Sequence, residues 1–234
     1  MMSLPNCNHK ILEALSTKSS TKQLVARQNQ AAFGELKQML QTVAEELNAN
    51  ICTIDKSVVV EYSERSEREA MIRFSGDVLI FHQLTNAYTV DDRHELRKLS
   101  YIKEDPLRAF FGVINFYNFL NDSLLYNRLS DVGHLLGRIW INKDRHFFVE
   151  GKRQFSFLYN DLSRDVLDAD KLRGIVENAM TYAIDYDLTA PPFVDVRELT
   201  VFQMQNISQE LRVRKSPGLG YRIHAQSQEP ETRA

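Results

Sequence analysis

The sequence predicts an α+β fold, with antiparallel strand meanders packed against amphipathic helices in the order helix, strands, helix, strands, helix. Three observations carry that expectation. Residues 135–159 contain the stretches LLGRIWIN, RHFFVE and RQFSFLY, rich in β-branched and aromatic residues and split by short turns. Strands joined so closely are antiparallel neighbours, because a parallel return needs a long crossover. Downstream, Leu172, Ile175, Val176, Ala179, Met180, Ala183 and Ile184 recur at i, i+3, i+4, i+7, i+8, i+11 and i+12, one continuous apolar helix face. Upstream, Phe33, Leu36, Leu40, Val43 and Leu47 line one side of a helical pattern over 21–47, with Gln28, Gln30, Glu35, Gln38, Gln41 and Glu45 opposite.

The chain has 234 residues, enough for one large domain or two small ones. An apolar share of 43% supports a packed core. A net charge of −2 supplies no global field to draw nucleic acid or an anionic membrane. Cys7 and Cys52 make neither a disulfide framework nor a C-x-x-C pair, which suggests a reducing compartment. The N-terminal stretch carries Asn6, Asn8, His9, Lys10 and Glu13 and has no signal-peptide-like apolar run. No segment approaches transmembrane length. These features predict a soluble, cytoplasmic protein.

Taken in order, residues 1–19 form an N-terminal segment and 20–190 the α+β domain. Ser20-x-x-Gln23 is a capping box for the first long helix. Residues 51–55 and 57–62 are strand-like, and Glu64, Arg65, Ser66 and Glu67 make a charged turn. A second meander spans 70–74 and 78–83 around Ser75-Gly76-Asp77, with an edge strand over 86–90. Asp105 as N-cap and Pro106 at the first position then open a helix over 107–120, apolar and aromatic nearly all round. Its only polar strip is Asn115, Asn118, Asn121 and Asp122, and the Phe- and Tyr-rich composition leaves a strand open as the alternative. After the central strands, Asp168 caps the last helix and Pro191-Pro192 prevent its continuation. Residues 191–211 read as a helix or strand extension, and 212–234 as a flexible, locally basic tail.

This order of elements resembles the fold shared by type III secretion chaperones and the YbjN group of bacterial sensory-regulator-like proteins. The residues that carry the resemblance are GRIWINKDRHFFVEGKRQF at 137–155 with the helix over 172–184. It implies a non-enzymatic domain, and for the secretion chaperones a homodimer that binds extended client segments. It carries no catalytic residue over to this chain.

Strand alternation sorts the central block into two faces. Leu135, Ile139, Ile141, Phe147, Val149, Phe155 and Phe157 share a core face. The other face gathers Arg138, Trp140, His146 and Phe148 with Leu136, Glu150, Gln154 and Leu158. Aromatic residues beside arginine have the composition of a binding hot spot. The sharper expectation is a binding surface for a protein partner or a second subunit, as in an adaptor, chaperone or regulator. The plainer one is that another helix of the same chain covers that face.

The enzymatic alternative rests on Glu150-Gly151-Lys152. A strand ending in Glu-x-Lys resembles the PD-(D/E)xK nuclease motif, in which two acids hold a divalent metal and the lysine activates water. Asp144 lies about 20 Å along the strand from Glu150, so the second acid would be Asp131. No Walker A, G-x-S-x-G, G-x-G-x-x-G or H-E-x-x-H motif is present, and the six histidines show no ligand spacing. Asp91, Asp92 and His94 read as a solvated loop. Neither a cofactor nor a metal is expected, and nucleic acid and membrane are disfavoured as partners.

Overall fold

The computed structural model describes residues 7–151, 155, 157–186, 197, 198, 200–202 and 204. It begins with an unbroken helical stretch. α1 (Cys7–Ala14) passes through a wider π-helical turn at Leu15–Ser19 into α2 (Ser20–Ile51). The positions buried along α2 include Thr21, Val25, Asn29, Ala32, Leu36, Leu40 and Val43, spaced to form a single stripe. The helix runs through Ile51, and Cys52 to Asp55 close it in turns, so the strand expected over 51–55 is helix end instead.

Seven strands follow in one antiparallel sheet. They are β1 (Val60–Ser66), β2 (Glu69–Phe74), β3 (Asp77–Gln83), β4 (Tyr88–Thr89), β5 (Phe110–Leu120), β6 (His134–Asn142) and β7 (Phe147–Gly151). Spatial order is β1-β2-β3-β5-β6-β7, and β4 pairs with the start of β5 beyond the end of β3. The expected charged turn after β1 is narrower, because the strand continues to Ser66 and only Glu67 and Arg68 join it to β2. Ser75 and Gly76 turn β2 into β3, with Ser75 in the left-handed region at φ 54°. α3 (Ser100–Glu104) and a short 3-10 turn precede β5, α4 (Asn121–Leu125) follows it, and α5 (Ala169–Ile184) comes after β7.

The helix expected over 107–120 is the central strand β5. Its start signal is real but short. The Asp105 carboxylate accepts from the Leu107 N–H at 3.0 Å, and Pro106–Ala109 make one 3-10 turn before the chain extends. From Phe111 to Phe116 every residue is buried, because β5 lies between β3 and β6 with both its faces packed. A strand packed on both faces is apolar without alternation, and so matches a buried helix in pattern.

Of the three central strands expected, the first two are β6 and β7. In the third, Phe155 is fully buried, residues 157–159 form a turn, and 152–154 and 156 lie outside the described residues. Phe157, expected in the core, is 68% exposed. One further exchange comes from a bulge. Tyr117 pairs with Leu135 and Phe116 with Gly137, so Leu136 is the extra residue. It turns into the core, and Leu135 is left half-buried, the reverse of simple alternation. The expected tail over 212–234 is outside the described residues, and within 191–211 the described Val201, Phe202 and Met204 are helical, with the Met204 N–H bonded to the Thr200 carbonyl.

α2 and α5 cover one face of the sheet. Leu36, Leu40, Ile175 and Val176 meet Ile72, Phe81, Phe116, Ile139 and Val149 there in the main core. Glu35 receives a bidentate pair from Arg145 at 2.7 and 2.8 Å, and Glu46 pairs with Arg173 of α5. Over part of the opposite face lies the segment from β4 to the start of β5. Its Val90, Ile102 and Ala109 pack on Phe111 and Leu162 in a second, smaller core.

Candidate functional site

The candidate site is the outer face of β6 and β7. Register places Trp140 opposite Phe148 and Arg138 opposite Glu150, side by side on this face. The Trp140 and Phe148 rings stack almost parallel, with centroids 5.7 Å apart and planes at 7°. Buried Phe111 of β5 meets both rings edge-on, at 86° and 88°. Such T-shaped contacts hold the two rings from behind, so the stack is a rigid platform. Both rings remain half-buried.

Polar contacts tie the rim of this platform. The Trp140 Nε1–H donates to Glu150 Oε2 at 3.1 Å, and an Arg138 nitrogen lies 3.6 Å from the same oxygen. The Arg138 Nε is buried without a partner, although two-fifths of its side chain is exposed. A two-fifths exposed arginine side chain thus stands next to two aromatic rings.

His146, expected on this surface, is absorbed into packing. Its Nδ1 lies 2.8 Å from the Leu162 carbonyl, and its ring stacks on Tyr101 at 4.6 Å. Tyr101 comes from α3, so the covering segment of the chain reaches the edge of the candidate surface. Fully buried Asn142 organises the β6–β7 turn. Its Oδ1 accepts from the Asp144 and His146 N–H groups, and its Nδ2 donates to the Tyr101 hydroxyl at 3.0 Å. Arg108 lies over the Tyr101 ring at 4.3 Å and bonds Asp144. Burial pushes the Tyr101 phenol up, and the nearby Asp144 charge adds to that. Burial works against the Asp105 carboxylate, yet Lys143, the Leu107 N–H and Arg108 outweigh it and hold Asp105 below the usual range. Residues 142–144 are legible in the sequence as turn formers, whereas the roles of Tyr101 and Phe111 are not. No local signal marks either, since both act through contacts made across the sheet.

The two acids of the nuclease reading hold different partners. The Asp131 carboxylate takes the Ser123 hydroxyl at 2.6 Å, and Glu150 is engaged by Trp140 and Arg138. Asn118 pairs with His134, and Asn115 with Arg138 opposite Glu150. Three strand residues at about 3.3 Å each thus put roughly 10 Å between Glu150 and the start of β6, and Asp131 lies further back. Lys152 is outside the described residues. Among the described residues no three His, Cys, Asp or Glu groups converge as for a metal ion. Asp91 and His94 cap local turns, accepting from the Arg93 and Leu96 N–H groups.

No described helix is long and apolar enough to cross a membrane. No protein-family model, curated protein or solved structure matches this chain.

Proposed function

We propose that this chain is a non-catalytic binding protein that engages a protein partner through the outer face of β6 and β7. The observation that carries this reading is the Trp140–Phe148 stack, partly buried, backed by Phe111 and flanked by Arg138. A preformed aromatic pair gives large contact area and loses little side-chain freedom on binding. The edge beside it is closed to strand addition. The Phe147 and Val149 N–H groups already donate to the Asp165 and Tyr159 carbonyls. The partner is therefore met by side chains on the face, with Arg138 suited to a carboxylate or carbonyl. The resemblance of 137–155 and the helix over 172–184 to the type III secretion chaperones points the same way and adds self-association as one form of the partner.

The test joins tryptophan quenching to partner capture from the native host. Acrylamide should quench Trp140 in the free protein, and partner or self-association should protect it. Trp140→Ala with Phe148→Ala should abolish capture while circular dichroism stays unchanged. A Trp140 fully shielded from quencher in a proven monomer refutes the proposal.

A further inference from the structure

β3 and β5 are antiparallel neighbours, with Gln83 opposite Ile114 and the Leu84 N–H bonded to the Val113 carbonyl. A turn of a few residues would join such strands. The chain instead runs from 85 to 109 over part of the outer face, far beyond the about 12–15 residues of an ordinary connection. Within it no regular element is longer than the five residues of α3. Long connections of this kind are commonly functional, as lids or binding loops.

Its hold on the sheet is light. Of residues 85–109 only Val90, Ile102 and Ala109 are buried. They pack with Phe111 and Leu162, and Trp140 and Phe148 lie against the same cluster. β4 pairs with β5 through Tyr88 and Thr89 alone. A second attachment is the β6–β7 turn. There the Tyr101 hydroxyl accepts from Asn142 Nδ2 at 3.0 Å, Arg108 Nε donates to Asp144 at 3.1 Å, and Lys143 lies 3.0 Å from Asp105. The ion pairs Arg97–Asp92, Lys98–Glu95 and Arg108–Glu104 are internal to the segment. None of its residues enters the main core between the sheet, α2 and α5. Releasing so lightly held a segment costs less than unfolding the sheet.

We propose that 85–109 is a lid that opens as a unit on the intact sheet and uncovers Phe111 and the covered sides of Trp140 and Phe148. Open, it turns the two-ring platform into a broader aromatic face. The lid thus sets how much of that face a partner meets. This regulatory role rests on the binding face proposed above, whereas the motion itself does not.

Amide hydrogen exchange of the full chain, read by NMR, tests the motion without a partner. The Ile102 and Lys103 N–H groups, both bonded to the Leu99 carbonyl, should exchange at least about tenfold faster than those of β3. Ile175→Val loosens the main core only, so it should speed β3 exchange about fivefold and leave the lid amides unchanged. Tyr101→Phe cuts the bond to Asn142 and should speed the lid amides about fivefold. Ile102→Ala removes the largest side chain the lid buries. With circular dichroism unchanged, acrylamide should then quench Trp140 more strongly than in the wild type. Four results each overturn the proposal. They are lid amides as slow as β3, equal acceleration of both by Ile175→Val, no acceleration by Tyr101→Phe, and unaltered Trp140 quenching in a folded Ile102→Ala protein. Failure to capture a partner changes none of these readouts, so the lid and the binding face fail separately.

Discussion

The same strands present two faces that meet their surroundings differently. On the inner face, Phe81, Phe116, Ile139 and Val149 sit at 0–1% exposure against α2 and α5. On the outer face, Trp140 and Phe148 pack on the second core yet stay only partly buried, and the segment covering their neighbours is held by hydrogen bonds and ion pairs around Asn142, Tyr101 and Arg108. The inner face spends its apolar area on stability at about 1.5–3 kcal/mol per large side chain. On the outer face, the apolar area that remains in water is available to a partner.

Truncations sharpen this contrast most. Phe116→Ala removes a ring wedged between Phe81 and Phe155 and should cost about 3–5 kcal/mol in chemical denaturation. Trp140→Ala should cost only about 1–2 kcal/mol. Equal losses at the two positions would make the outer face a core like the inner one. A smaller effect is expected at the rim of the inner face. Arg145→Lys keeps the charge opposite Glu35 but loses the two-pronged geometry, and because Glu35 is partly exposed the loss should be about 0.5–1 kcal/mol in urea.

The smallest effect separates the faces by pH. Burial raises the carboxyl of Asp77, which shares its strand face with Leu79 and Phe81, against a hydrogen bond from Asn118. A raised folded value favours the protonated form, so this contribution is full below the ordinary value of 3.8 and is lost as pH rises through the folded value. Asp77→Asn should therefore be more stable than the wild type at neutral pH, with the gap closing in acid. Asp105, in the outer covering segment, is held below that value, so its contribution is present above it and lost as pH falls through the folded value. Asp105→Asn should be the less stable protein at neutral pH, again with the gap closing in acid. Thermal melts across the acid range read both signs, and two gaps of the same sign would break the distinction.

Legibility in the sequence followed the locality of each cause. The stripes of α2 and α5, the Asp168 cap bonding the Lys171 N–H at 2.8 Å, and the β6–β7 hairpin are set by neighbours within a few residues. The facing of Trp140 and Phe148 followed from the same alternation. His146 keeps to that side of the sheet but is covered there, because Leu162 and the Tyr101 ring, 45 positions back in the chain, reach over it.

By itself the sequence determined the α+β class, both long helices and which residues could share a strand face. These follow from periodicity, which records how many sides of an element meet water. Tertiary structure alone decided that 110–120 is a central strand, that the bulge sends Leu136 inward, and that Asp131 and Glu150 take different partners. An element packed on every side loses its periodicity, and a bulge or a distant pair is chosen by partners far along the chain.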